Sequence, residues 1–222
     1  MIHLHKEIEK IKKQVLSLGA EVEQNVHRAL KSIEQRDTQI EGKIIAADDE
    51  IDCHEVDLEE ECLKIMALHQ PVAGDLRFII AIFKMNTDLE RIGDLAVNIS
   101  VRTQFMAQTE KISIPSEFFK MSEKATSMLR RSLDAMVNSD KKAAYDVCND
   151  DDDVDKLYHR FRDDITNRIA ADPKNNHTLV RVLEIGHHVE RIADHATNIA
   201  EDVIYMLDGK IIRHGRQLNS DN

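Results

Sequence analysis

The chain has 222 residues, enough for one large domain or two small ones. Apolar residues make up 42% of it and charged residues 32%, so it can bury a hydrophobic core and does not have the composition of a disordered chain. Its net charge of −11 disfavours a protein whose main task is to bind nucleic acid or an anionic membrane. With only 7 glycines and 3 prolines, it also lacks the turn-forming residues that a β-sandwich or β-barrel needs.

Apolar residues recur at three- and four-residue steps along nearly the whole chain, which is the period of an amphipathic helix. The pattern predicts an all-α protein with six long helices at 3–36, 39–68, 72–108, 116–138, 140–171 and 174–208. Three prolines fall where helices begin, the position at which a helix tolerates proline: Pro71, Pro115 and Pro173. Gly209 is expected to cap the last helix, and the polar tail at 209–222 is expected to be flexible.

No segment of the sequence has the length of a membrane span. The longest purely apolar run covers only 78–83, whereas a spanning helix needs ~20 apolar residues. The charged, amphipathic start of the chain is unlike a secretion signal. The three cysteines, Cys53, Cys62 and Cys148, form no paired motif and predict ordinary thiols in a reducing compartment. We therefore expect a cytoplasmic protein that does not insert into a membrane.

An internal repeat is the most informative feature of the sequence. The segment ERIGDLAVNI at 90–99 aligns with ERIADHATNI at 190–199, and seven of the ten positions are identical. Upstream, DDEID at 48–52 aligns with DDDVD at 151–155. The repeat predicts two tandem, duplicated three-helix bundles packed side by side, at 1–108 and 109–208, followed by the tail.

The repeated segment has an acidic stripe and an apolar stripe. On a helix that turns 100° per residue, Glu90 and Asp94 fall on one side, with an asparagine one turn further on. Glu190 and Asp194 repeat this geometry. The opposite side of each helix is the predicted core face: Leu89, Ile92, Ala96 and Ile99, and likewise Val189, Ile192, Ala196 and Ile199. The carboxylates are therefore expected on the bundle surface or in a groove.

Like charges four residues apart on a helix repel one another, yet both copies keep them. A bound cation turns this repulsion into chelation, because neighbouring carboxylates can share a metal. A second set of acidic residues, three apart on the second and fifth helices, can face the stripes: Asp49, Asp52, Asp152 and Asp155. Carboxylate oxygens are typical ligands of iron, manganese, magnesium or calcium. They are not the ligands of a thiolate zinc site. The repeat thus predicts a metal site in each bundle.

Two simpler interpretations of the acidic residues stay open. A stripe of carboxylates is commonly a solvated helix face with Glu–Arg pairs, which here would involve Arg91 or Arg191. The run DDDDVD at 150–155 is equally typical of a helix N-terminus, where the helix dipole favours negative charge.

Three histidines near the second stripe are weaker candidates for metal ligands: His187, His188 and His195. Glu184 and His187 form half of the ligand signature of ferritin-like di-iron bundles, but the sequence has no second Glu-x-x-His pair. It also has no glycine-rich phosphate loop and no nucleophile or metalloprotease motif. No catalytic residue is therefore predicted.

The duplicated ERIGDLAVNI and ERIADHATNI, the DDEID and DDDVD segments and HQPVAGDLRFI at 69–79 together resemble the PhoU family of phosphate-signalling regulators. The resemblance extends over about residues 1–208. It implies two similar three-helix bundles that carry multinuclear metal clusters on their surface, of iron first and of manganese, zinc, nickel or magnesium as alternatives. The implied ligands are Glu90, Asp94, Glu190 and Asp194, with Asp49, Asp52, Asp152 and Asp155 as further members. The repeats differ in that His195 stands opposite Leu95, and Ala193 opposite Gly93.

The resemblance implies a regulatory protein and not an enzyme. Such a protein is an adaptor between the ATPase subunit of the phosphate ABC transporter and the phosphate-sensing histidine kinase. It keeps the phosphate-starvation response and phosphate uptake low when phosphate is plentiful. It is expected to be a cytoplasmic homodimer with no nucleic-acid partner. Two alternatives are a carboxylate-bridged protein that oxidises or stores iron, and a metal-free helical scaffold.

Overall fold

The computed structural model describes residues 2–36 and 39–212, which form six α-helices and one 3-10 turn. The helices are α1 (Ile2–Gln35), α2 (Ile40–His69), α3 (Ala73–Ala107), α4 (Ser116–Asn138), α5 (Lys141–Ala171) and α6 (Asn176–Asp208), and the turn is Pro173–Asn175. The all-α prediction is confirmed, and each predicted bound lies within two residues of the observed one. Of the predicted flexible tail, only 209–212 belongs to the described residues; 213–222 lies outside them.

Local sequence sets several helix ends. The carboxylate of Asp140 accepts a hydrogen bond from the backbone N–H of Ala143 at 3.0 Å and so caps the start of α5. Gly209 ends α6 in the left-handed region, at φ 71°, and its N–H donates to the carbonyl of Tyr205 at 2.8 Å. The predicted C-cap at Gly209 is therefore confirmed.

The helices form two three-helix bundles that pack side by side. Helices α1, α2 and α3 pack on one another, and so do α4, α5 and α6. The bundles meet where α3 contacts α6, a contact that we call the seam, and where α1 contacts α4. Within the described residues α2 reaches only α1 and α3, and α5 packs only on α4, α6 and the 3-10 turn. One side of the molecule is therefore a layer in the order α2–α3–α6–α5, with α1 and α4 behind it.

The apolar stripes of α3 and α6 form part of the core. The core face that the sequence predicts is confirmed, because all eight of its residues are fully buried: Leu89, Ile92, Ala96, Ile99, Val189, Ile192, Ala196 and Ile199. Burial of a large aliphatic side chain stabilises a fold by about 1.5–3 kcal/mol. This burial fixes the rotation of both helices and leaves the acidic stripes on the side away from the core.

The structure agrees with the sequence on two further points. No helix in the described ranges is long and apolar enough to cross a membrane. The three cysteines are free. Burial raises the pKa of the Cys62 and Cys148 thiols to about 12, so both stay protonated at neutral pH.

Close packing of α5 on α6 depends on Gly186. A Cβ at this position would overlap the ring of Phe161, which is fully buried and packs on Phe118. We expect Gly186→Ala to lower the free energy of unfolding by about 1–3 kcal/mol, because the ring has no room to retreat. Urea unfolding of the purified protein measures the change.

The matched control is Gly42→Ala, also within a helix. No atom lies within 4 Å of a Cβ added at Gly42. This variant is expected to gain about 0.5–1 kcal/mol, because alanine is the better helix former. Equal stability of the two variants would contradict the tight contact between α5 and α6.

Candidate functional site

Acidic residues of the first repeat meet between α2 and α3. We call the four residues Asp48, Asp52, Glu90 and Asp94 groove 1. Burial, followed by the negative charges of the other three, raises the pKa of Asp48 to about 7. Since α1 packs behind both helices, the groove opens on the side away from α1. Groove 1 therefore concentrates negative charge at the surface without exposing all of it to water.

The corresponding residues of the second repeat meet between α5 and α6. We call Asp151, Asp155, Glu190 and Asp194 groove 2. Burial, followed by the charges of Glu190 and Asp155, raises the pKa of Asp194 to about 6. Burial is also the main reason that the pKa of Asp151 rises to about 6. The two grooves open close to each other, because His195, next to Asp194 on α6, lies with its Nδ1 2.7 Å from Oδ1 of Asp88, two residues before Glu90 on α3.

Groove 2 has the geometry of a cation site. Asp155, Glu190 and Asp194 each offer one carboxylate oxygen, and these oxygens all lie within 4.8 Å of one another. Oxygens that bind a Ca²⁺-sized ion at about 2.4 Å from opposite sides are themselves about 4.8 Å apart. The three residues therefore fit a hard, oxygen-seeking cation.

In groove 1, the residue whose surroundings suit a bound cation is Asp48. Its Oδ1 atom is buried and has no hydrogen-bond partner among the described residues. This oxygen lies so near the backbone of Gly93 that a Cβ there would come within 2.7 Å of it. A buried polar atom without a partner costs about 1–3 kcal/mol, which protonation or a bound cation relieves. In groove 2 the hydroxyl of Thr197 donates to the Oδ1 of Asp151 at 3.0 Å, so Asp151 has no such deficit.

Most of the predicted ligands lie in the grooves: Asp52, Glu90 and Asp94 in groove 1, and Asp155, Glu190 and Asp194 in groove 2. Asp49 and Asp152 are exposed beside the grooves, and their charges help to raise the pKa values of the neighbouring Asp48 and Asp151, which are half-buried in the grooves. Sequence reasoning missed these two because it paired aspartates three residues apart. The four-residue spacing of Asp48 and Asp52, the same as in the ExxxD segments, is the signal that identifies them.

The acidic run at 150–155 does not mark a helix N-terminus. That interpretation is wrong, because α5 begins at Lys141 and the run lies in its interior. Two of its aspartates form ion pairs with Lys124 of α4, at 2.9 and 2.8 Å, and two others line groove 2. On the first acidic stripe, Arg91 Nε lies 3.5 Å from Glu90 Oε2, a weak pair of the kind that a solvated helix face contains.

The three histidines have different surroundings. His187 Nδ1 lies 3.1 Å from Glu190 Oε2, at the edge of groove 2. His195 Nδ1 lies 2.7 Å from Asp88 Oδ1, across the seam. Burial lowers the pKa of His188 to about 4, and its ring nitrogens have no hydrogen-bond partner within the described ranges. Of the three, His187 is the one with a ring nitrogen within hydrogen-bond distance of a groove carboxylate.

Glu184 is not placed as a di-iron ligand beside His187. Its carboxylate forms ion pairs with Arg102 at 2.9 Å and with Arg181 at 2.8 Å. These two cations hold the pKa of Glu184 below its usual value against the effect of burial, which raises it. The half-signature of a ferritin-like site therefore belongs to an ion-pair network instead.

The raised pKa of Asp48 makes the metal-free protein less stable as the pH rises. An acid whose pKa is higher in the folded state than in the unfolded chain binds protons more tightly when folded, so the free energy of unfolding falls between the two pKa values. For Asp48 this interval runs from its usual pKa near 3.8 to about 7. We expect Asp48→Asn to remove about 1–2 kcal/mol of the fall, less than the shift alone implies because the groove is open to solvent.

Urea unfolding of chelator-treated protein at about pH 5 and about pH 8 measures this effect. The control is Asp57→Asn, an exposed residue of the same helix, which should keep the pH dependence of the unaltered protein. An unchanged pH dependence in Asp48→Asn would contradict the burial and charge crowding described for Asp48.

Comparison with known proteins agrees with the duplicated architecture. The family model for the PhoU domain matches the chain twice, over residues 15–103 and 118–203. A phosphate-specific transport system accessory protein PhoU homolog from Clostridium acetobutylicum is 35% identical over 92% of this chain and 94% of its own length. A homolog of the same name from Aquifex aeolicus is 36% identical over 95% of this chain and 96% of its own length.

Solved structures show the same fold. The crystal structure of PhoU from Pseudomonas aeruginosa superimposes with a TM-score of 0.90 at 32% identity, covering 93% of this chain and 99% of that one. The phosphate transport system regulatory protein PhoU from Streptococcus pneumoniae superimposes with a TM-score of 0.88 at 25% identity, covering 95% of this chain and all of that one. Two matched domains, relatives aligned over almost their full length and a shared fold lead to one assignment: the chain belongs to the PhoU family.

Proposed function

We propose that this protein is a negative regulator of the phosphate-starvation response and of phosphate uptake. The observation that carries the proposal is the PhoU domain, matched twice and together covering most of the chain. Relatives of nearly the same extent are named accessory proteins of the phosphate-specific transport system. A structural relative is described as a regulatory protein of phosphate transport. The proposed role is therefore regulatory and not enzymatic.

In this proposal the protein is an adaptor that contacts the ATPase subunit of the phosphate ABC transporter and the phosphate-sensing histidine kinase. Two packed bundles with similar but non-identical surfaces suit a protein that touches two different partners. The net charge of −11 favours docking on basic surfaces and speeds the encounter with them. The protein would work in the cytoplasm as a homodimer, reaching the membrane through its partners.

We further propose that both grooves bind metal ions, iron first, as multinuclear clusters. The residues that would hold them are Asp48, Asp52, Glu90 and Asp94 in groove 1 and Asp151, Asp155, Glu190 and Asp194 in groove 2. The converging oxygens of groove 2 and the buried, unpartnered oxygen of Asp48 support this proposal. A bound cation supplies positive charge that offsets the repulsion among these carboxylates. The carboxylates would then tie α2 to α3 and α5 to α6.

The alternative of an iron-oxidising enzyme has less support. Ferritin-like enzymes draw their ligands from side chains that project into the bundle core. The carboxylates here lie on the helix sides away from the core, and Glu184 is held by two arginines. Oxygen consumption on addition of ferrous iron would restore this alternative.

The regulatory role is tested by alkaline phosphatase activity in a strain that lacks the gene, grown in phosphate-rich medium. We expect high activity in the deletion strain and low activity once the gene is restored, because the regulator normally keeps the response off. Restoration with Gly42→Ala is the positive control, because no atom lies within 4 Å of a Cβ added there. Low activity in the deletion strain, in a genome without a second duplicated ExxxD gene, would overturn the regulatory role.

The metal proposal is tested by thermal unfolding with and without Mn²⁺ after chelator treatment. A ligand that binds only the folded state at about 100 times its dissociation constant adds about 2.7 kcal/mol of stability, so we expect a clear rise in Tm. Exchange of all four ExxxD carboxylates for their amides, in the variant Glu90→Gln, Asp94→Asn, Glu190→Gln and Asp194→Asn, should abolish that rise.

The matched control for this test is Asp49→Asn combined with Asp152→Asn, which removes two exposed aspartates beside the grooves. This variant should keep the full response to Mn²⁺. An equal response in the four-residue variant and the unaltered protein would leave the metal-free scaffold as the better description.

A further inference from the structure

Two ion pairs cross the seam between α3 and α6, which run antiparallel. Lys84 Nζ lies 2.6 Å from Asp202 Oδ1, and Arg102 Nε lies 2.9 Å from Glu184 Oε2. All four side chains are largely shielded from water, with no more than 34% of any of them exposed. The pairs therefore lie within the contact between the bundles, one toward each end of it.

The repeat relates these two ion pairs to each other. The ExxxD segments are offset by 100 residues, so Lys84 corresponds to Glu184, and Arg102 corresponds to Asp202. The two pairs thus occupy equivalent places, but their polarity is reversed. In these two pairs the first bundle supplies both cations, and the second bundle supplies both anions.

Because of this reversed polarity, the contact of a first bundle with a second bundle differs in charge from a contact between two first bundles or two second bundles. If a first bundle met a first bundle of another chain in the same way, Lys84 would face the Arg102 of that chain. If two second bundles met, Glu184 would face Asp202. Either arrangement places like charges together at both ends of the contact, whereas pairing of a first with a second bundle matches every charge.

The residues at the centre of the seam also favour the pairing of a first with a second bundle. Asp88 lies 2.7 Å from the ring of His195 and accepts a hydrogen bond from Asn198 at 3.1 Å. In the repeat, His195 corresponds to Leu95, which is buried, and Asp88 corresponds to His188. Pairing of two first bundles would put Asp88 against the apolar Leu95. Pairing of two second bundles would bring two imidazoles together in place of an acid and an imidazole.

We propose that the seam is a recognition surface that accepts only the unlike bundle, so that its charges prevent two copies of this chain from pairing like with like. The two bundles share a fold, and a ten-residue segment of α3 is identical to α6 at seven positions, which makes shape alone a poor discriminator. Like-charge juxtaposition is the usual means of rejecting a wrong partner. A second copy can then use this surface only by reciprocal exchange of bundles. This inference is independent of the proposed regulatory function.

The test removes the discrimination while keeping the two ion pairs that cross the seam between α3 and α6. Lys84→Glu combined with Asp202→Lys preserves both intrachain ion pairs, but each bundle then carries one cation and one anion and complements itself. Arg102→Glu combined with Glu184→Arg does the same at the other end of the seam, where it also replaces the ion pair of Glu184 with Arg181 by two like charges. All four substitutions together restore two like charges on each bundle, with the signs reversed.

The four proteins are refolded from urea at rising protein concentration, and their mass is measured by size-exclusion chromatography with light scattering. Reciprocal exchange is charge-matched in all four, so it contributes equally to each. We expect both double variants to associate at a protein concentration roughly tenfold lower than the unaltered chain, and the fourfold variant to return to its behaviour. The difference should shrink at high salt, because screening weakens charge repulsion.

Circular dichroism confirms that each variant has refolded, and either double variant suffices for the test because the two act at opposite ends of the seam. Identical association of all four proteins would overturn the proposal. Association of the fourfold variant like that of the double variants would overturn it too, since the pattern of charges would then have no role.

Discussion

The burial of α3 and α6 on three sides is the constraint on which the rest of the structure depends. Helix α3 packs on α1, α2 and α6, and α6 packs on α3, α4 and α5. Fully buried aliphatic side chains fix the rotation of both helices, so a single stripe of each stays open. Glu90 and Asp94 lie on one open stripe, and Glu190 and Asp194 on the other. Core packing, and not any attraction among the carboxylates, therefore brings the acidic residues together.

The fold tolerates this crowding of negative charge only because other interactions stabilise it. The two grooves differ in how they accommodate the crowded carboxylates. In groove 1, Gly93 leaves room for the carboxylate of Asp48 to lie against α3 with one oxygen unpaired. In groove 2, the buried Ala193 stands in place of this glycine, and Thr197 donates a hydrogen bond to Asp151. The duplicated sites are thus equivalent in their acidic residues and unequal in their surroundings, so a cation would meet two different environments in one chain.

The sequence predicts the helices well because the three- and four-residue apolar period directly reflects burial along a helix. It also places Glu90 and Glu190 correctly, since one rotation angle per residue suffices to separate the core face from the open face. The acidic runs alone do not single out Asp48 and Asp151, because the choice between adjacent aspartates depends on how α2 and α5 are rotated about their axes. The position of the acidic run inside α5 follows from where the helix begins, which local charge alone does not determine.

The seam is the part of the molecule that the sequence could not reveal. Lys84 and Asp202 are 118 residues apart, and nothing in either segment indicates that they meet. Their relation to Arg102 and Glu184 is visible only when the antiparallel contact of α3 and α6 is combined with the repeat. A duplicated chain contains two surfaces that descend from one, and matching shapes alone would let chains pair in several ways. Opposite charges on the two bundles resolve this ambiguity as they do in coiled coils, where both attraction toward the right partner and repulsion of the wrong one set the choice.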